Sequence, residues 1–150
     1  IDLRSFAQMR HRRLSRRFTA PSLSGCSVGE LAAMAWLTEA SAALAAHDQG
    51  RLEALNFENF LAAPELELKK ACGVFDLHPG DDMISNALSG PIMKTYSKAP
   101  EHAYSPAIRA QIIADAAAAH GDEIRRGLAL IDAAGKENNM MARTLDLFAR

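Results

Sequence analysis

The sequence predicts a mostly α-helical chain with one short strand over residues 52–57. Alanine and leucine fill runs whose apolar residues recur every three or four positions, the period of a helix face. These runs begin and end at helix punctuation: a Ser-x-x-Glu box, prolines and glycines. Apolar and polar residues alternate, as in a strand, only in "RLEALNF" (51–57). A length of 150 residues with 49% hydrophobic content suits a single domain, 1–150, with enough apolar material for a core.

The elements follow in order. Residues 2–17 read as a basic helix with Leu14 on its apolar side, and "TAPSLSGCS" (19–27) breaks it. Ser27 and Glu30 have capping-box spacing, in which each side chain satisfies a free N–H of the first turn. The helix they open runs to about Ala46, with Leu31, Met34, Ala35, Leu37 and Leu44 on the buried side. "RLEALNF" gives the strand, although Leu, Glu and Ala are weak strand formers. Pro64 suits the first turn of the next helix and places Leu68, Cys72 and Phe75 on one stripe. "HPGDD" is a turn, and Asp81 or Asp82 caps a short helix through Leu88. "SGPIMKTYSKAPEHAYS" (89–105) has no period and reads as irregular. Ser105–Pro106 opens a helix through Ile108, Ile112, Ile113 and Ala116, which Gly121 bends or breaks before Ile124, Leu128 and Ile131. Gly135 stops that run, and Met141, Leu145 and Phe148 form a last amphipathic helix.

The formal net charge is −1, which argues against a nucleic-acid surface spread over the whole chain. It is unevenly placed: residues 1–18 carry +5 and the remainder −6. Such an end can meet phosphate or an acidic partner, and a solvated basic helix is the plainer reading. Cys26 and Cys72 match no metal spacing, and no metal is expected. No apolar run approaches the ~20 residues that cross a bilayer, and no signal-peptide pattern occurs, so a cytoplasmic protein with no membrane span is expected. The chain opens at Ile1 already in helical pattern, and reads as a piece of something longer.

No glycine-rich phosphate loop, Gly-x-Ser-x-Gly or His-Glu-x-x-His is present. The five histidines are scattered at helix ends and turns, where solvated or capping roles are the rule. Segment 89–105 differs in kind. Lys94 and Lys98 lie four apart with Thr95, Tyr96 and Ser97 between them, and Arg109 follows one turn into the next helix. Cations, hydroxyls and free N–H groups are the equipment of phosphate recognition. On composition alone, a solvated loop is the plainer reading.

The run "RLEALNFENFLAAPELELKKACGVFDL" (51–77) resembles a segment of the C-terminal half of P-loop sulfotransferases, bacterial sulfotransferase-like proteins in particular. There a short strand ends in an aromatic and Glu, then come a leucine, a proline and a leucine-bearing helix. "TYSKAPEHAYSPAIRAQI" (95–112) resembles the loop and Arg-bearing helix that follow, "LAAMAWLTEA" (31–40) the helix that precedes the strand, and "DLRSFAQMR" (2–10), loosely, the helix near the 3′-phosphate. The resemblance implies the α-rich C-terminal portion of an α/β fold, with 52–57 in a parallel sheet. It implies 3′-phosphoadenosine-5′-phosphosulfate as donor and a small-molecule hydroxyl or amine as acceptor. Lys94, Ser97 and Lys98 would line the nucleotide side, with Arg4 or Ser5 at the 3′-phosphate end and Glu58 orienting the turn after the strand. The family's phosphosulfate loop is not in these 150 residues, which implies a chain inactive alone. The alternative is a helical interaction module whose basic N-terminal helix binds an acidic partner or nucleic acid.

Overall fold

The structure, a computed structural model, describes residues 3–16, 18–20, 22–96 and 99–148. Its elements in order are α1 (Leu3–Leu14), α2 (Val28–His47), α3 (Phe57–Ala62), α4 (Pro64–Val74), α5 (Asp81–Ser89), β1 (Thr95–Tyr96), β2 (Ala99–Ala103), α6 (Pro106–Glu137) and α7 (Asn139–Phe148), with single 3-10 turns at Leu23–Gly25 and Pro91–Lys94. The chain is thus mostly helical, as its periodicity requires. It divides into two compact units, one of Ile1–Ala54 with Ala117–Arg150 and one of Leu55–Ala116.

The first unit is organised on α2. Its start is the capping box: the Glu30 N–H donates to Ser27 Oγ at 3.3 Å, and the Ser27 N–H donates to Glu30 Oε2 at 2.8 Å. A cap of this kind contributes about 1 kcal/mol. Both α1 and α7 pack on α2. Leu31, Met34, Leu37 and Leu44 are buried as expected, and Ala35 is half-buried. Leu14, Ala134 and Met141 join this core with no exposure, and Trp36, Leu130 and Ile131 pack against it. Two exposed pairs border it, Arg10–Glu39 at 2.6 Å and Arg143–Asp48 at 2.7 Å.

The tightest approach in this unit is between α2 and α6. A Cβ on Gly29 would overlap the backbone carbonyl of Glu123, and one on Gly127 would lie 2.7 Å from the Gly29 oxygen. Both helices present bare backbone here. Glu123 also turns its carboxylate onto the Gly29 N–H at 2.8 Å, one of the first-turn donors of α2 that has no helical partner.

The expected strand over 52–57, whose residues fall in both units, is corrected. Residues 52–56 pair with no strand, and Asn56 instead caps α3, its Oδ1 accepting the Asn59 N–H at 3.0 Å. The cap draws Phe57 into a helix, and weak strand formers without a neighbour have no ladder to hold them extended. The short strands lie elsewhere. β1 and β2 form an antiparallel hairpin, with Thr95 opposite Ala103 and a register irregularity before Tyr96 opposite Ala99, inside the segment expected to be irregular.

Helix α4 opens at Pro64 as expected, but Phe75 does not join its apolar stripe. It falls at the C-cap, 74% exposed, while Leu68 and Cys72 are half-buried. Lys69 bonds both Glu65 at 2.9 Å and Asp81 at 2.7 Å, tying α4 to the first turn of α5, and Ile84 of α5 is buried.

Helix α6 has residues in both units. Ser105 Oγ accepts the Ile108 N–H at 3.2 Å and Pro106 takes the first helical position, the start that the sequence spells out. Helical geometry is interrupted at His120 (φ −130°, ψ 22°), beside the glycine expected to bend it. Gly135 lies within the helix rather than ending it. Asn138 separates α6 from α7, its Oδ1 accepting the Met140 N–H at 2.9 Å.

Since the atoms a new methyl would meet at Gly29 and Gly127 are backbone, neither side can yield by a rotamer change. Gly29→Ala and Gly127→Ala are each expected to destabilise the protein by roughly 1–3 kcal/mol, the usual cost of overpacking. Chemical denaturation of the two variants checks it, with Gly25→Ala, where nothing lies near the added Cβ, as the control.

Candidate functional site

The cations of α1 divide by what they touch. Arg10 is held by Glu39 of α2. Arg12, Arg13 and Arg16 are exposed and make no ion pair among the described residues. Three concavities adjoin them. A groove of about 260 Å³ between α1 and α2 is lined by Arg13, Arg16, Thr38, Ser41 and Ala42. A second, of about 250 Å³, is lined by Ser15, Arg16, Phe18, Thr19, Glu137 and Asn138. A third, of about 540 Å³, takes in Gln8, Met9, His11, Arg12 and Leu23.

The wall of the first groove is built by helix bonding. The Thr38 hydroxyl donates to the Met34 carbonyl at 2.8 Å and the Ser41 hydroxyl donates to the Thr38 carbonyl at 3.1 Å, so both lie flat along α2 and are buried. At the carboxyl end of α1 beside it, two carbonyls have partners. The His11 carbonyl accepts from the Ser15 N–H at 2.8 Å and from its hydroxyl at 2.7 Å, and the Leu14 carbonyl accepts from the Phe18 N–H at 2.9 Å.

The residues singled out by resemblance are distributed over both units. Arg4 and Ser5 belong to α1 in the first, and Ser5 is exposed. Lys94 is exposed at the end of the 3-10 turn in the second, and its carbonyl accepts the Tyr104 N–H at 2.8 Å. Ser97, Lys98 and the side chain of Arg4 lie outside the described residues. Neither unit by itself contains all five.

Within the second unit, Arg109 reaches back across 51 residues of sequence to form a two-pronged pair with Glu58. Its guanidinium also sits over the Phe57 ring, 5.7 Å from the centroid, and Phe57 stacks with Phe60 at 6.2 Å. Glu58 therefore has a defined structural partner, and Arg109 is already engaged rather than open to a ligand.

The histidines take local roles. His47 Nδ1 contacts the Leu52 carbonyl at 2.9 Å past the end of α2, His78 sits 3.2 Å from Asp76 in an exposed turn, and His120 marks the interruption of α6. Cys26 and Cys72 form no disulfide, and the Cys26 thiol donates to the Ser22 carbonyl at 3.3 Å. Among the described residues, no group of three or more His, Cys, Asp or Glu side chains is placed to hold a metal ion, and no helix is long and apolar enough to cross a membrane. No protein-family model, curated protein or solved structure matches the chain.

Three groups have displaced pKa values. The hydrogen bond from Lys69 holds the Asp81 carboxyl below its ordinary range, and the bonds to Asp81 and then Glu65 raise Lys69 in turn. Glu123 is lowered by the Gly29 N–H first and then by the Ser27 hydroxyl, against partial desolvation. The sequence reading passed over Glu123 because its partner is a backbone amide on a distant helix, which no local pattern encodes.

A carboxyl with a depressed folded pKa contributes stability that is fully present above its unfolded pKa and is lost as pH falls through the folded value. Urea midpoints measured from about pH 7 to about pH 3 are expected to hold level and then fall below the ordinary glutamate range near ~4.3. Glu123→Gln is expected to lower the midpoint at neutral pH and to flatten part of the acid-side decline, leaving the Asp81 contribution.

Proposed function

We propose that the chain is a nucleotide-side portion of a sulfotransferase-like protein, with Lys94, Ser97 and Lys98 lining the nucleotide side at the phosphates of 3′-phosphoadenosine-5′-phosphosulfate. The observation that carries this reading is the Glu58–Arg109 pair. The motifs "FENF" and "SPAIRAQI" were matched only by their order along the chain, and their side chains meet in one compact unit. The unpaired segment 52–56 is compatible with the reading if its neighbouring strands lie outside these 150 residues, since a strand exists only through its ladder.

In sulfuryl transfer the bond from sulfur to the bridging oxygen of the donor breaks as a bond from sulfur to the acceptor hydroxyl or amine forms. Negative charge moves onto the leaving adenosine 3′,5′-bisphosphate, and cations beside it stabilise that charge electrostatically. The chain carries no glycine-rich loop to hold the sulfate end, so on this reading it binds the nucleotide without turning it over alone.

A second reading is favoured by one observation: Arg12 and Arg13 of α1 and Arg16 just past its end make no ion pair among the described residues. It makes the helix an electrostatic surface for an acidic partner or nucleic acid, with affinity that falls steeply as salt rises.

Titration with adenosine 3′,5′-bisphosphate decides the first reading. Saturable binding is expected, weakened about tenfold by Lys94→Ala and again by Lys98→Ala, the scale of one charge-assisted contact each. No saturation, or indifference to both substitutions, contradicts it.

A further inference from the structure

We propose that the groove between α1 and α2 binds a small organic phosphate monoester as its dianion, held by Arg13 and Arg16. This site is separate from the Lys94 region and does not rest on the sulfotransferase-like reading.

Some charges beside the groove are already committed. Glu39 is adjacent in sequence to Thr38 of the groove wall, and it is held by Arg10 at 2.6 Å. Arg13, one turn further along, and Arg16, just past the end of α1, have no acidic partner among the described residues, yet both border the same concavity. Glu137 lines the neighbouring groove that Arg16 also borders and forms no ion pair with it. Two guanidiniums thus face a concavity to which no carboxylate among the described residues contributes. Their summed charge of two matches a phosphate monoester dianion, where a carboxylate or sulfate ester matches only half of it. Each planar fork can donate two parallel N–H bonds to such oxygens.

The carboxyl end of α1 does not oppose this. Its partial charge is roughly half of one unit, against two full positive charges, and the His11 and Leu14 carbonyls are occupied by Ser15 and Phe18. The groove also limits the ligand's size and character. About 260 Å³ is below the usual small-ligand range, which starts near ~300 Å³. Ala42 and the arginine stems offer apolar walls. The Thr38 and Ser41 hydroxyl protons are spent on backbone carbonyls, so the wall does not compete with the arginines as donor. A phosphate bearing one small ring or short chain fits both limits.

The test is calorimetric titration of the full chain with phenyl phosphate and, separately, phenyl sulfate. One saturable site for phenyl phosphate is expected, with phenyl sulfate about tenfold weaker for want of the second charge. Arg13→Gln and Arg16→Gln are each expected to weaken phenyl phosphate about tenfold. Arg12→Gln, on the same helix but lining a different concavity, and Lys94→Ala are expected to change it less than about twofold. Circular dichroism and urea midpoints of the variants confirm that the fold is kept, as exposed and unpaired arginines should allow. The proposal is overturned by absence of saturable binding. It is equally overturned if Arg12→Gln weakens binding as much as Arg13→Gln, which would mean a diffuse basic surface, or if phenyl sulfate binds as well as phenyl phosphate. Because Lys94→Ala reads only the other region, loss at one site leaves the other separately measurable.

Discussion

The first unit is organised on α2, whose first turn meets α6 through bare backbone at Gly29 and Gly127. Two helices approach this closely only where neither carries a Cβ, and the glycine that permits it in α2 lies in that helix's first turn. Glu123 then uses the proximity. Its carboxylate sits on the Gly29 N–H, at the positive end of the α2 dipole, where an anion is favoured and an unpartnered donor needs an acceptor. Helix α2 in turn carries α1 and α7, and the buried Leu14, Met34, Leu37 and Met141 belong to the core formed there.

A second consequence is the sorting of charge. Arg10, Lys69, Arg109 and Arg143 are spent on carboxylates of other elements. These pairs are largely exposed, and such pairs are each worth about 1 kcal/mol or less, so their effect is placement more than stability. What they leave over is informative. Arg12, Arg13, Arg16 and Lys94 have no acid beside them among the described residues, and Arg13 and Arg16 converge on one groove. A net charge near zero conceals this; only the pairing in three dimensions separates structural cations from available ones.

How much of this was legible depends on whether the determinant was local. The Ser27–Glu30 box, the Ser105–Pro106 start and the bend beside Gly121 were readable because each is written within four residues. The strand over 52–57 was misread for the converse reason. Alternation over so few residues does not distinguish a strand from a coil leading to an Asn-capped helix, and strand formation depends on partners that the segment does not contain. The β1–β2 pairing was missed likewise, since two strands this short carry no readable period. Phe75 looked buried because it continued the period of α4 past the point where the helix ends. For the candidate sites, the basic run of α1 was visible, and the withdrawal of Arg10 from it was not, because Glu39 lies on another helix.

The central claim is that the described cations are already divided into engaged and available sets, and that ligand anions meet only the available ones. The direct measurement is a two-dimensional NMR spectrum of the arginine side-chain Nε–Hε groups, followed during addition of phenyl phosphate. The account predicts that Arg13 and Arg16 shift together and saturate, while Arg10, Arg109 and Arg143 stay in place. Equal, non-saturating shifts across all the arginines, or a leading shift at Arg10 or Arg109, would contradict it.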